Sequence, residues 1–371
     1  MRVALVHDYL KEYGGAERVL EALHEIFPEA PIYTSFSDLD SLGPHKERVK
    51  SWDIKTSWFQ KFPFHKKLAS PMRIFASLMF ESFDLKEYDL VISSSAVYFS
   101  KAVIKRPDAL HISYIHTPPR YLYGYTTSFN YKKNFLVRIL GELINHILRL
   151  YDFETSQRPD ILVANSKNIQ SRIKKFYRRE SVVIYPPVDI SRITNHESRI
   201  TKKEYFLSVS RLVRGKGVEV IVEACMKLGL PLKIVGTGPE LENLKLITHH
   251  SSLITFLGEV KDEELGELYG NAKALIVASE DEDFGITAVE SQACGTPVIA
   301  VKAGGYLETV IDGKTGVFFE EATVESLKKV LQEFDERKFK QGDLIKNAEK
   351  FSKERFKKEI IDLIEKNFPK T

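Results

Sequence analysis

Cysteine is almost missing from this 371-residue chain, which carries two, Cys225 and Cys294, 69 positions apart. They form no C-x-x-C spacing, so neither a disulfide framework nor a cysteine zinc site is supported, and a reducing compartment is expected. Long apolar runs are lacking as well. No stretch reaches the ~18 uncharged apolar residues of a membrane-spanning helix, and the opening Met1 to Asp8 is apolar too briefly for a signal peptide. The expected location is the cytoplasm. Net charge is only +3, which offers no argument for nucleic acid. A full G-x-G-x-x-G with a distal acid is absent, which disfavours a dinucleotide redox site. Hydrophobic residues at 43% and charged residues at 28% exclude collagen-like, low-complexity and largely disordered chains.

A length of 371 residues is well over two typical domains of ~150. Apolar runs of strand length alternate with helical patterns throughout, the mark of βαβ units and a mainly parallel sheet. Strands are expected at 2–7, 31–35, 90–93, 111–115, 161–164 and 181–185, with helices at 15–26, 64–79, 134–152 and 168–177. The consecutive Pro186 and Pro187 then break the pattern, and a polar linker runs to Lys203. The alternation restarts at Tyr205, and helical patterns at 324–334 and 353–368 close the chain. The expected fold is α/β: an N-terminal domain over 1–188, a second over 189–352, both doubly wound, and a C-terminal helix over 353–371. A crevice between two such domains is the natural ligand site.

Glycines sit at several strand-to-helix turns. Gly14 and Gly15 follow the first strand and open a helix, where backbone N–H groups can approach an anion. In the second half, Arg211 and Lys216 share a loop at a strand end, a reasonable clamp for a diphosphate. Gly236 and Gly238 again suit close backbone approach or a plain turn. The segment from Ser279 runs through Glu282, Phe284, Gly285 and Ile286 into a helix carrying Glu290, then Ala293-Cys294-Gly295-Thr296-Pro297-Val298 and Gly304-Gly305. Carboxylates beside a diphosphate make sense if they accept hydrogen bonds from vicinal hydroxyls of a ribose or hexose while the cations and helix dipole neutralise phosphate.

Glu282, seven intervening residues, Glu290 and the glycines that follow resemble the donor-site signature of the retaining family-4 glycosyltransferases of the GT-B fold. The segments His111–Tyr121, Ala164-Asn165-Ser166 and Ile184–Asp189 are similar to the mannosyltransferases of surface-polysaccharide assembly. The resemblance spans essentially the whole chain. It implies two Rossmann-like domains facing a central cleft, with the last helix returning to the first domain. Glu290 would hold the ribose hydroxyls, Glu282 the hexose hydroxyls, and the backbone of Phe284, Gly285 and Ile286 the distal phosphate and sugar. Arg211 and Lys216 would hold the diphosphate, and His116 would lie near the transferred sugar. The expected reaction moves a hexose, mannose from GDP-mannose, onto a glycan or lipid-linked acceptor. Front-face attack is favoured over double displacement, which would need a placed carboxylate nucleophile. The domains are expected to close on the donor about the linker.

No cofactor and no metal are expected: Asp38-Leu39-Asp40 lies in a polar loop, and Asp281-Glu282-Asp283 overlaps the hydroxyl-binding loop. The first half is basic, with 27 Lys and Arg against 20 Asp and Glu in residues 1–180. Much of this falls in Pro44 to Phe75, where Lys61, Lys66, Lys67 and Arg73 interleave with Phe64, Leu68, Met72 and Phe75 on one expected helical face, as in helices lying at an anionic membrane surface. The stripe Leu136, Ile139, Leu143, Ile147 and Leu150 is expected to be domain core. A nucleotide-sugar epimerase of the same architecture and a non-catalytic nucleotide-sugar-binding subunit are the rival readings.

Overall fold

A computed structural model describes all residues except 69–70, 128–134, 195–202, 250 and 369–371. The chain forms two compact units: Met1–Tyr125, Asn130–Pro187 and Glu354–Thr371 make the first, and Thr126–Phe129 with Val188–Lys353 the second. Part of the expected linker, 195–202, lies outside the described residues.

The first unit is a seven-stranded parallel sheet: β1 (Val3–His7), β2 (Ile32–Thr34), β3 (Ile54–Thr56), β4 (Leu90–Ser95), β5 (Leu110–Ile115), β6 (Ile161–Ala164) and β7 (Val182–Val183), in the order β3-β2-β1-β4-β5-β6-β7. The second is a six-stranded parallel sheet: β8 (Tyr205–Val209), β9 (Leu232–Val235), β10 (Ile254–Gly258), β11 (Ala272–Val277), β12 (Val298–Val301) and β13 (Gly316–Phe319), in the order β10-β9-β8-β11-β12-β13. Both are doubly wound. The direction of winding reverses between β1 and β4 in one and between β8 and β11 in the other, and crevices open at the carboxyl ends of strands at such points. Strands β3 and β13 were not evident from sequence, because Ile54–Thr56 and Gly316–Phe319 are short and incompletely buried.

Parallel strands are covered on both faces and therefore read as apolar runs; all six residues of β4 and of β5 are buried. One face of the first sheet packs Ala4, Val6 and Val91 against Phe59, Met79, Phe80 and Leu148, and the other packs Leu5, Ile92 and Ile112 against Leu20 and Leu23. That second face also takes the C-terminal helix Lys353–Asn367, whose Phe356, Ile360 and Ile364, four residues apart, are buried in it. Each such side chain contributes roughly 1.5–3 kcal/mol on burial. The last helix thus belongs to the first unit.

Two helices differ from expectation. The expected helix 64–79 is broken: a four-residue helix His65–Leu68 is followed by a 3₁₀ turn Pro71–Phe75 and a helix Ala76–Glu81. Phe64 adopts a left-handed φ of 58°, which no helix admits, and Pro71 has no N–H to continue one. The shared apolar face therefore does not form; Met72 packs against the core while Phe64, Leu68 and Phe75 are exposed. The helix Phe135–Thr155 is rotated relative to the expected core reading. Its buried face carries Asn145, Leu148 and Asp152, and Ile139, Leu143, Ile147 and Leu150 point to solvent, Leu150 at 61% exposure. The side chain of Leu136 is outside the description. Asp152 sets this rotation: one oxygen accepts from buried Lys101 at 2.5 Å and Tyr177 at 3.2 Å, the other from Tyr123 at 2.7 Å. Stripping a partner from a buried ion pair costs ~3–5 kcal/mol.

Candidate active site

In the second unit, four loops gather at the carboxyl ends of β8, β9, β11 and β12. The loop after β8 carries Arg211, exposed, and Lys216, mostly buried. It is laced to the loop after β9 by Ser210 N–H to Val235 O at 3.1 Å, Leu212 N–H to Thr237 O at 2.8 Å and Glu240 N–H to Leu212 O at 3.0 Å. A Cβ on Gly236 would fall 1.9 Å from Ser210 O, at a φ of +132° that side chains rarely adopt. Gly238 stands in the same relation to Leu212 O, at 2.2 Å. The close approach these glycines permit is therefore to the chain's own backbone, and it shapes the loop that carries Arg211.

Lys216 Nζ donates to Glu282 Oε2 at 2.7 Å, and Tyr306 OH reaches the same oxygen at 3.4 Å. The two sequence-predicted groups, 66 positions apart, are thus an ion pair. Past Glu282 the chain anchors Phe284, buried edge-on against Phe351 at 5.3 Å between ring centroids, and turns through Gly285 at φ 91° into the helix Ile286–Ala293. There a Cβ would strike the Tyr306 ring at 2.8 Å, so only glycine fits beneath that aromatic. Glu290 is buried on this helix and accepts from Tyr269 OH at 2.9 Å, with Tyr269 itself fully enclosed. A buried carboxylate needs such donors. Burial, then the charge of Glu290, pushes the Cys294 thiol up to about 12, and burial does the same for Cys225, so neither is a nucleophile at neutral pH.

In the first unit the reversal point lies between β1 and β4, and three strand ends meet there. His116, just past β5, is buried and 2.8 Å from Ser94 Oγ. Burial first, and then neighbouring His7, lowers its pKa to about 3. Gly14 and Gly15 open the helix Gly15–Ile26, but the Gly14 N–H donates to Glu17 Oε2 at 2.8 Å, so it is not offered to an external anion as expected. A similar internal arrangement follows β4. Asp8 Oδ2 accepts from the N–H of Ala96, Val97 and Tyr98 at 2.8, 2.6 and 2.8 Å, and Oδ1 from Ser100 at 3.1 Å.

Residues 13–192 match the domain described as Glycosyltransferase Family 4, and residues 189–351 the one described as Glycosyl transferases group 1. Together the two matches pair, over residues 13–351, the two domain types of family-4-type GT-B glycosyltransferases. An uncharacterised glycosyltransferase of Methanocaldococcus jannaschii is 29% identical over 57% of this chain and 60% of its own length. A D-inositol 3-phosphate glycosyltransferase of Geodermatophilus obscurus is 32% identical over 43% of this chain and 42% of its own. The chain thus spans less than two thirds of these relatives. The crystal structure of Anabaena HepE in complex with UDP and glucose superposes with a TM-score of 0.71 at 19% identity, covering 98% of this chain and 99% of that one. Sucrose-phosphate synthase from Thermosynechococcus elongatus does so at 0.73 and 17%, covering 99% of each. At these identities the likeness establishes the fold.

In the first unit Asp38 pairs with Lys66 at 2.7 Å and Asp40 with Lys46 at 2.6 Å. The Asp-x-Asp carboxylates thus hold lysines. Among the described residues no group of three or more His, Cys, Asp or Glu is placed to hold a metal ion. The basic segment is less free than its composition suggested: Lys66 is in that pair, and Arg73 lies between the rings of Tyr98 and Tyr121 at 5.6 and 4.7 Å. Lys61 is exposed, and the Lys67 side chain is outside the description. Besides Lys50, Lys55 and Lys61, the segment exposes the apolar Trp58, Phe62, Phe64 at 75% and Phe75. Among the described residues no helix is long and apolar enough to cross a membrane. Sequence reasoning missed Tyr269, Tyr306, His7, Glu17 and Ser94, whose roles depend on partners far away in the chain and carry no local motif.

Proposed function

We propose that this glycosyltransferase moves a hexose from a nucleotide sugar to a glycan or lipid-linked acceptor with retention of anomeric configuration, and that the donor is GDP-mannose. The carrying observation is the Lys216–Glu282 ion pair at 2.7 Å, whose lysine shares its loop with Arg211 and whose glutamate precedes the helix that carries buried Glu290. It brings phosphate-binding and hydroxyl-binding chemistry into one place. When the donor enters, Lys216 exchanges a carboxylate for a phosphate, and Glu282 is released to accept from sugar hydroxyls. Glu290 takes the ribose, and the first N–H groups of the helix Ile286–Ala293 face the distal phosphate.

In the reaction the anomeric C–O bond breaks with its electron pair going to the phosphate. The acceptor oxygen bonds to the anomeric carbon on the same face, and its proton passes to the departing phosphate. Arg211 and Lys216 stabilise the charge that develops there. No protein nucleophile and no metal enters this scheme. The GDP-mannose preference rests on the resemblance of the 111–121 and 184–189 segments; UDP in the HepE structure is that protein's ligand. Titration calorimetry against GDP-, UDP-, ADP- and dTDP-sugars tests the donor, and the anomeric configuration of the product tests retention. Binding to none of them sinks the reading, and release of an isomerised sugar without acceptor points to an epimerase instead.

We further propose that the protein meets a lipid-linked acceptor at a membrane surface. The support is apolar: Phe62, Phe64 and Phe75 on one stretch, and Ile139, Leu143, Ile147 and Leu150 on the helix Phe135–Thr155, which packs into the same core layer through Leu148. Co-sedimentation with anionic vesicles is expected, and it should be lost when Phe62, Phe64, Leu143 and Leu150 are all changed to Ser. A variant that sediments like the parent, or a parent that does not bind, refutes the attachment.

A further inference from the structure

His116 is not isolated. It ends a chain of four buried side chains that crosses the carboxyl edge of three adjacent strands. His116 Nε2 lies 2.8 Å from Ser94 Oγ, Ser94 Oγ lies 3.0 Å from His7 Nδ1, and His7 Nε2 lies 3.4 Å from Glu17 Oε1. Glu17 Oε2 in turn accepts the Gly14 N–H at 2.8 Å. His7, Glu17, Ser94 and His116 are exposed by 2, 5, 0 and 8%. The backbone holds the ends together: His7 and Ser94 are directly paired between β1 and β4, and the His116 N–H donates to Ser95 O at 2.9 Å.

The order of protons along such a chain is decided at its acceptor-only end. A carboxylate has no proton to give, so His7 must donate to Glu17 from Nε2. With His7 neutral, that leaves Nδ1 a lone pair, which accepts the Ser94 hydroxyl proton. Ser94 Oγ then has lone pairs to offer and accepts from His116 Nε2–H. The reverse order needs either a second proton on His7 or a His7 Nε2 lone pair set against carboxylate lone pairs in a dry interior, where unsatisfied polar groups are costly.

We propose that Glu17, His7 and Ser94 are positioning residues that fix His116 as the Nε2–H tautomer, leaving Nδ1 unprotonated and able to accept a hydrogen bond from a substrate hydroxyl. This rests on the proposed function only for the identity of that hydroxyl; the tautomer follows from the chain with His7 neutral. A fixed tautomer orients one lone pair at no cost at the moment of reaction, as a carboxylate does for other imidazoles held through a ring N–H. His111, five positions before His116 in the chain and also buried, makes a separate contact with Ser93 and is no part of this network.

The test is a long-range ¹H–¹⁵N spectrum of protein labelled at histidine nitrogen, with the His116 signals identified by their loss in His116→Gln. A single Nε2–H form is expected in the parent. In Ser94→Ala that form should give way to a mixture, with kcat down about tenfold or more and donor KM within about twofold. An Nδ1–H form in the parent overturns the proposal, as does an Nε2–H form that persists unchanged in Ser94→Ala. If Ser94→Ala does not fold, His7→Gln is read in the same way. A correct tautomer in a protein that turns over no nucleotide sugar would instead refute the proposed function and leave the chain standing.

Discussion

Lowering the pH from 7 to 5 should destabilise the first unit through two imidazoles. His111 in β5 and His116 beside it are both buried, and burial is the leading cause that lowers each pKa to about 3. His111 has Ser93 Oγ at 2.8 Å from Nε2 and no partner on Nδ1, and the nearby Asp160 carboxylate offsets the effect of burial only in part. In the unfolded chain each imidazole titrates near 6.5. The unfolded state therefore binds protons that the folded state refuses. Stability is whole above about pH 6.5, falls as the pH drops below it, and goes on falling toward pH 3, by about 1.4 kcal/mol per unit per histidine. At pH 5 each costs about 2 kcal/mol and the two about 4, a large part of the ~5–15 kcal/mol of a typical domain.

Both tryptophans of the chain, Trp52 and Trp58, are in the first unit, so urea unfolding followed by their fluorescence reports that unit alone. At constant ionic strength the midpoint should fall steadily from pH 6.5 to 5. The slope of His111→Gln should be about half the parental one, whatever its stability at pH 7. A midpoint that is flat across this window, or a variant with the parental slope, would show that these histidines take up protons in the folded state.

Phe356→Ala should destabilise the first unit by ~3–5 kcal/mol, because the ring is fully buried against Tyr114 of β5; a fluorescence midpoint within error of the parent's would show that the last helix is not integral to that core. Glu290→Ala should chiefly weaken donor binding while Glu282→Ala also lowers turnover, since orientation of the sugar bears on the reacting centre; parental kinetics in both would remove them from the site. Activity should persist in EDTA, and a complete loss restored by Mg or Mn would bring the aspartate motifs back into the mechanism. Lys216→Met should raise the donor Kd at least tenfold, as expected for a lost charge-assisted contact of ~1.5–3 kcal/mol, and an unchanged Kd in calorimetry would refute the exchange of carboxylate for phosphate.

Much of this protein was legible in the chain. Alternating apolar runs and helical periods located most of the strands and the helices Gly15–Ile26 and Ile286–Ala293, because those patterns report local geometry and burial on two faces. The Glu282 and Glu290 spacing sits on one loop and one helix, so its chemistry survives as a local string. Other features were decided only by tertiary contact. Periodicity shows that Ile139, Leu143, Ile147 and Leu150 share a face, but not what covers it; the burial of Asp152 with Lys101, Tyr123 and Tyr177 turned that face outward. Gly236 and Gly238 suit close backbone approach or a plain turn, and the structure shows the approach is to the carbonyls of Ser210 and Leu212. The chain from Glu17 through His7 and Ser94 to His116 joins residues up to 87 positions apart in a single contact. Hydrogen-bond partnership at that separation follows from strand order and register, which no local pattern carries.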